Sequence, residues 1–357
     1  MELDLILRNG LVVDGSGRPG AVRDIGIHEG KVAVLGDLRD LRAGTTLDAA
    51  GRVVCPGFID IHAHSEYHLL IHPQAESKIR QGVTTEVCGN CGLSAAPLLG
   101  EVKERRQAEY RSLGLDLTWS TLSEYYRLLE RSGIGVNFAT LIGHGNIRGS
   151  VLGYQNRQAT SDEMLRMQEL MEESMSAGAL GLSTGLIYPP GVYAEREEII
   201  ALAKRAADAG GIYATHMRSE GDGLIEAIDE SIDICRRAGL PLEISHLKTS
   251  GQANWNKLGD VFQRIESAKK EGVEVHCDRY PYTAASTDLD VVLPAWAYEG
   301  GHAAELKRLR DPEIRKRLSE EIRKTRPYVD AWDRILIGTV STEKNRPLEG
   351  KTLTEIA

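Results

Sequence analysis

Two histidines one residue apart close an apolar run, Pro56-Gly57-Phe58-Ile59-Asp60-Ile61-His62-Ala63-His64. In an extended strand, side chains i and i+2 point to the same face, so His62 and His64 share one site. Two later apolar runs also end in histidine, Ala214-Thr215-His216 and Ile244-Ser245-His246. A thiol joins them in the glycine-rich turn Cys88-Gly89-Asn90-Cys91-Gly92, where glycine lets the backbone bend Cys91 inward. A set of imidazoles and one thiol suits zinc, which takes N and S ligands. Bound zinc lowers the pKa of water to about 7 and polarises a carbonyl, which is the equipment for amide hydrolysis. The expected metal ligands are therefore His62, His64, Cys91, His216 and His246.

Weaker signals surround them. Lys248 stands two positions past His246, and Tyr280, Tyr282 and Ser286 follow the next strand; a cation and hydroxyls there suit a substrate carboxylate. Tyr188, in Gly185-Leu186-Ile187-Tyr188, is a further candidate for the pocket wall, as is His144. Arg218 and Glu220 are candidate partners of the ligand set. Cys88 and Cys91 form C-x-x-C, but no second such pair accompanies them. Cys88 and Cys235 read as core, Cys55 has no assigned role, and Cys277 ends a strand near the site. Met164, Met167, Met171 and Met175 form a helical stripe that reads as packing.

Such a constellation needs strands that all present their C-terminal ends to one mouth. Residues 1–54 read as short strands split by turns such as Asn9-Gly10 and Glu29-Gly30, a small β-sandwich or half of one. From residue 55 strands and helices alternate. Strands are expected at Phe58–His62, Val83–Cys88, Val136–Ile142, Ala179–Ser183, Ile212–His216, Leu242–His246 and Val273–Cys277. Helices are expected at Asp162–Ala177 behind an N-cap at Ser161, and at Glu195–Ala209, Leu224–Ala238 and Leu258–Lys270. That rhythm implies an α/β fold, a (β/α)8 TIM-like barrel spanning residues 55–287, rather than an open doubly wound sheet. Residues 288–348 break the rhythm and read as a lid-like insertion. It holds a helix from Pro312 to about Thr325 and a short strand at Arg334–Gly338, with residues 349–357 beginning the return to the barrel.

Composition sets the outer bounds. The chain has 357 residues, 41% hydrophobic and 27% charged, with a formal charge of −9. That balance argues against nucleic-acid or anionic-membrane binding. No run approaches the roughly 18 apolar residues of a membrane span, and the first residues lack a signal-peptide pattern. Five cysteines are too few for a disulfide scaffold, so a reduced, cytoplasmic protein is expected. Oligomeric state is not legible.

The blocks PGFIDIHAH (56–64), QGVTTEVCGNCG (81–92), GLSTGLIYPPG (181–191), THMRSEGDG (215–223), ISHLK (244–248) and DRYPYTAAS (278–286) resemble the N-acyl-D-amino-acid deacylases (D-aminoacylases) of the amidohydrolase superfamily. The resemblance implies zinc-dependent hydrolysis of N-acyl-D-amino acids to a carboxylate and a D-amino acid. It implies one tight zinc on Cys91, His216 and His246, with His62 and His64 bordering a second, weaker metal position. It also implies that Lys248, Tyr280 and Ser286 hold the substrate α-carboxylate. The preference for the D-enantiomer is implied by the family alone. The family's general acid/base is an aspartate at the end of strand eight. It is expected beyond Ala357, with strand eight itself, so the sequence reads as C-terminally incomplete and the isolated chain as nearly inactive. Two alternatives stand beside this reading: a cyclic-amide hydrolase of dihydroorotase or hydantoinase type, and a non-catalytic scaffold on the same fold.

Overall fold

The computed structural model describes residues 2–325 and 329–357. The chain divides into two compact units, one of Met1–Ile59 with Ser77–Thr85, the other of Asp60–Glu76 with Glu86–Ala357.

In the first unit β1 (Leu3–Val12), β2 (Ala21–His28), β3 (Lys31–Gly36), β4 (Ala43–Asp48) and β5 (Val53–Val54) form one sheet in the order β3-β2-β1-β4, with β5 also on β1. β1 pairs antiparallel with β2 and parallel with β4 and β5. Its core is small: Leu3, Ile6 and Leu38. Of the two expectations, a small sandwich or half of one, the unit shows one sheet layer, as half a sandwich would. Turn signals located its strands, but they carry no information on whether a second layer faces them.

The alternating strands that position the histidines and the thiol begin with β6 (Phe58–Asp60), β7 (Val83–Cys88), β8 (Asn137–Thr140) and β9 (Ile142–Gly143), and continue with β10 (Gly181–Gly185), β11 (Ile212–His216), β12 (Leu242–Ile244) and β13 (Val275–Cys277). They pair in chain order, β6-β7-β8 and β9-β10-β11-β12-β13. The pairings from β9 to β13 are all parallel. Within the second unit, backbone hydrogen bonds carry the series from Ala63 N to Val87 O (3.0 Å), from Leu141 N to Cys88 O (2.9 Å) and from Leu180 N to Thr140 O (2.8 Å). Among the described residues the sheets do not close into a ring. The strand expected at Val136–Ile142 is interrupted at Leu141, and those at Phe58–His62 and Leu242–His246 stop two residues early. His62, His64 and His246 therefore lie just past their strand ends, while His216 is the last residue of β11.

Helices return the chain between strands, at Ser161–Ser176, Arg196–Asp208, Leu224–Ala238 and Leu258–Lys270. The first is capped by Thr160, not Ser161. Glu163 N donates to Thr160 Oγ1 (3.3 Å), and Thr160 N donates to Glu163 Oε2 (2.8 Å). This reciprocal box uses the residue three before the glutamate, which fixes the cap one position earlier. Thr160→Ala should lower stability by about 1 kcal/mol in chemical denaturation. In the methionine stripe, Met167 and Met171 are fully buried, with Met164 and Met175 packed against the same core.

Residues beyond Asp288 fold into short 3₁₀ turns and the helices Gly301–Arg310 and Pro312–Thr325. The run Arg334–Gly338 is not a strand. Leu336 makes one isolated antiparallel bridge to Thr352, because the segment facing it turns away after three residues. Its apolar Ile335-Leu336-Ile337 matched strand propensity, but the partner segment enters a helical turn at Leu353, and a single bridge makes no sheet. Among the described residues, no helix is long and apolar enough to cross a membrane.

Candidate metal centre

The thiol is delivered by a tightly bent turn. Gly89, Cys91 and Gly92 all have positive φ (73°, 53° and 76°). A Cβ on Gly89 would stand 2.0 Å from Leu141 O, and one on Gly92 2.6 Å from Gly185 N, so both positions require glycine. Cys91 has no such freedom, and left-handed backbone at a side-chain-bearing residue costs about 1–3 kcal/mol. Hydrogen bonds hold the turn against that cost. Gly89 N donates to Glu66 Oε1 (2.8 Å), Asn90 Nδ2 to Val87 O (3.0 Å) and Gly92 N to Ser183 Oγ (3.1 Å).

Around the sulfur the imidazoles converge. Cys91 Sγ lies 3.4 Å from His62 Nε2 and 3.6 Å from His246 Nε2, and His246 Nε2 lies 3.1 Å from His216 Nδ1. Two triads, Cys91-His216-His246 and His62-His64-Cys91, each bring their donor atoms within 4.8 Å of one another, and Cys91 belongs to both. Ligands at tetrahedral zinc, with Zn–S about 2.3 Å and Zn–N about 2.05 Å, stand about 3.5 Å (S to N) and about 3.3 Å (N to N) apart. The donor set fits zinc by type and by spacing. His216 Nε2, in addition, is a buried polar atom without a partner.

Two carboxylates set the ring protons. Asp278 Oδ2 lies 3.0 Å from His62 Nδ1, and its other oxygen accepts from the backbone N–H of His246 at 2.7 Å. Burial would raise the pKa of Asp278, but the hydrogen bond and charge of His62 lower it below the usual carboxylate value. An ionised carboxylate can only accept, so Nδ1 of His62 carries the proton and Nε2 turns a lone pair to the thiol. Asp278 also steadies His246, whose φ of 40° is likewise left-handed. Glu220 Oε1 stands 2.8 Å from His246 Nδ1. Burial opposes its ionisation, yet the hydrogen bond to His246 and the neighbouring cationic groups take it down to about 2.

Burial pushes the Cys91 thiol up to about 12, with the charges of Asp278 and Glu220 adding to the rise. Burial pushes His216 down to about 3, so its ring is neutral at ordinary pH. A metal entering near neutral pH must therefore displace the thiol proton and no imidazolium proton from His216. Below the pKa of the thiol, each unit rise in pH makes its proton about ten times easier to displace. Apparent zinc affinity should rise about tenfold per unit between about pH 7 and 8.5 in chelator competition.

The substrate-side candidates divide. Lys248 is largely buried, its Nζ bonded to Glu220 Oε1 and 2.9 Å from His246 Nδ1. Tyr280 lies beneath two cations, with Lys248 Nζ at 5.6 Å and the Arg279 guanidinium carbon at 4.2 Å from its ring centre. Tyr188 packs edge-on to His216, ring centres 5.1 Å apart, and its hydroxyl pairs with Thr287 Oγ1 at 2.8 Å. Ser286 is exposed, and among the described residues no hydrogen bond joins it to the cluster.

Other candidates fall outside. His144 is fully buried and bonds to Glu198 (2.7 Å), which also pairs with buried Arg148; this is an interior network, not a pocket wall. Arg218 grips Glu230 and the carbonyls of Val192 and Ala194, turned to the helix rather than the ligands. Among the described residues the five cysteines form no disulfide; Cys235 is buried, and Cys55 and Cys277 are exposed. Sequence reasoning missed Asp278. It directly follows a strand end, the same position that singled out the histidines.

With this geometry established, the likeness to known proteins becomes informative. Residues 45–307 match the Amidohydrolase family. The chain belongs to that family. Within it, the chain is 40% identical to the D-aminoacylase of Alcaligenes xylosoxydans xylosoxydans over 80% of its own length and 59% of that protein's. It is 38% identical to the N-acyl-D-glutamate deacylase of the same organism, over 81% and 59%. The chain thus spans about 59% of the length of these curated relatives. Among solved structures, a D-aminoacylase matches with a TM-score of 0.80 and 35% identity, covering 99% of this chain and 67% of that one. The Bordetella bronchiseptica N-acyl-D-glutamate deacylase, complexed with zinc and a phosphonate mimic of the tetrahedral intermediate, matches with a TM-score of 0.82 and 31% identity, over 100% and 67%. The fold is α/β and of the amidohydrolase barrel type seen in those enzymes. An L-hydantoinase at 19% identity and a TM-score of 0.50 shares the fold alone.

Proposed function

We propose that this chain carries the metal-binding portion of a zinc-dependent hydrolase that cleaves the amide bond of N-acyl-D-amino acids, releasing a carboxylate and a D-amino acid. The single observation that supports it most is the convergence of one donor atom each from Cys91, His216 and His246 within 4.8 Å. Relatives are named for deacylation of N-acyl-D-amino acids, and a solved one is complexed with zinc, which supports the choice of metal and reaction.

Cys91, His216 and His246 would hold the tight zinc, and His62 and His64 with the shared thiolate a second, weaker position. When bound, zinc supplies polarisation of the amide carbonyl and acidification of water. The chain's own groups do the rest. Asp278 keeps the Nδ1 proton on His62. Lys248 presents an ammonium beside Tyr280, a pair suited to the substrate α-carboxylate, with Ser286 on the segment that follows. Tyr188, fixed against His216 and Thr287, walls the ligands from water on one side. Asp278 and Glu220 both engage ring nitrogens, so neither is placed to shuttle the reacting proton. Residues 288–348 would act as a cover over the substrate, and the compartment would be the cytoplasm.

The test is enantiomer discrimination by the zinc-loaded chain. N-acetyl-D-leucine should raise its melting temperature and release free D-leucine, however slowly, while N-acetyl-L-leucine and dihydroorotate should do neither. Stabilisation by the cyclic amide alone, or by the L-enantiomer alone, would overturn the reading.

A further inference from the structure

Two neighbours of His246 make opposite demands on the same atom. Glu220 Oε1 lies 2.8 Å from Nδ1 and can only accept a hydrogen bond; Lys248 Nζ lies 2.9 Å from Nδ1 and can only donate one. A neutral imidazole has one ring proton to place. If it sits on Nδ1 it is given to Glu220, and Nε2 turns a lone pair toward Cys91 Sγ at 3.6 Å and His216 Nδ1 at 3.1 Å. If Lys248 donates to Nδ1 instead, the ring proton moves to Nε2. The atom that faces the thiol then cannot ligate a metal.

We propose that Glu220 is a positioning residue that selects the metal-ligating tautomer of His246 against Lys248. The inference rests on the metal-site reading above. Glu220 does this with one oxygen, because Oε1 touches both His246 Nδ1 and the ammonium. It takes the ring's proton and diverts the lysine's hydrogen bond to itself. The carboxylate is well anchored for the task. Its side chain is 15% exposed and that of Lys248 13%, and its backbone carbonyl accepts from Ser250 N at 2.6 Å, which ties the loop after β11 to the loop after β12. His62, by contrast, needs no such arbitration. Its Nδ1 faces Asp278, and among the described residues no ammonium bonds to it.

A double-mutant cycle on the full chain separates this role from a plain charge effect. Zinc affinity would be measured by competition with a chromophoric chelator for wild type, Glu220→Gln, Lys248→Met and the double variant. Glu220→Gln should weaken zinc about 10–100-fold. Lys248→Met should change little alone, because the carboxylate already holds the ring proton, yet should restore most of the loss when combined with Glu220→Gln. An equal effect of Lys248→Met in both backgrounds would reduce Glu220 to a bystander charge, and wild-type affinity in Glu220→Gln would sink the proposal outright. The nitrogen chemical shifts of His246 in metal-free wild type give a second readout that needs no variant to fold. They should report a proton on Nδ1, and a proton on Nε2 overturns the assignment. A wild-type chain that takes up no zinc while showing the Nδ1 proton would refute the metal site and leave the tautomer assignment standing.

Discussion

Cys91→Ser should abolish tight zinc binding while leaving the fold intact. Four-ligand zinc sites in small domains bind with about 10–16 kcal/mol, so one ligand accounts for about 3 kcal/mol, or about two orders of magnitude in affinity. The effect should exceed that of losing either His62 or His64, because the sulfur belongs to both triads. Serine is close in size, and its hydroxyl can donate to either ring nitrogen that faces the sulfur at 3.4 or 3.6 Å. The metal-free variant should therefore melt close to metal-free wild type. Metal content after gel filtration and chelator competition would read the loss. A variant that keeps stoichiometric zinc at wild-type affinity would remove the thiolate from the site.

Gly89→Ala should cost on the order of 3 kcal/mol or more, and lower zinc uptake with it. The backbone has φ 73°, and the new methyl would meet Leu141 O at 2.0 Å and Thr140 Oγ1 at 2.5 Å. Neither side can yield cheaply. Leu141 N is bonded to Cys88 O at 2.9 Å, and Gly89 N is bonded to buried Glu66. Any relief must shift the turn that aims Cys91. Gly239→Ala is the control: φ is 79°, but a Cβ there meets nothing within 4 Å. It should show only the backbone penalty of about 1 kcal/mol. Equal losses in the two variants, read by chemical denaturation, would show that the contact with Leu141 is not what matters.

The cluster of imidazoles and thiol was legible because its signal is local. His62, His64, His216 and His246 each stand at the end of an apolar run, and parallel α/β architecture brings strand ends together. Helices Leu224–Ala238 and Leu258–Lys270 were equally plain, since one face of each is apolar at helical spacing. What sequence could not rank was which polar residue faces which ring. Glu220 and Arg218 sit two apart after the same strand, yet one reaches His246 and the other grips Glu230. Asp278 drew no role, although its position after Cys277 matched the rule that found the histidines. His144 satisfied that rule too, and the fold sealed it in with Glu198 and Arg148. A strand end specifies a location near the mouth; inward or outward aim depends on the turn that follows. The run Ile335-Leu336-Ile337 failed for a different reason, because a strand is defined by its neighbour and the sequence does not name one.

The carboxylate of Asp278 grips the His62 ring with one oxygen and the His246 main chain with the other. Any change at His62 that moves this aspartate would therefore disturb the backbone of His246 as well. The two rings share a hinge pin, and must be redesigned jointly or not at all.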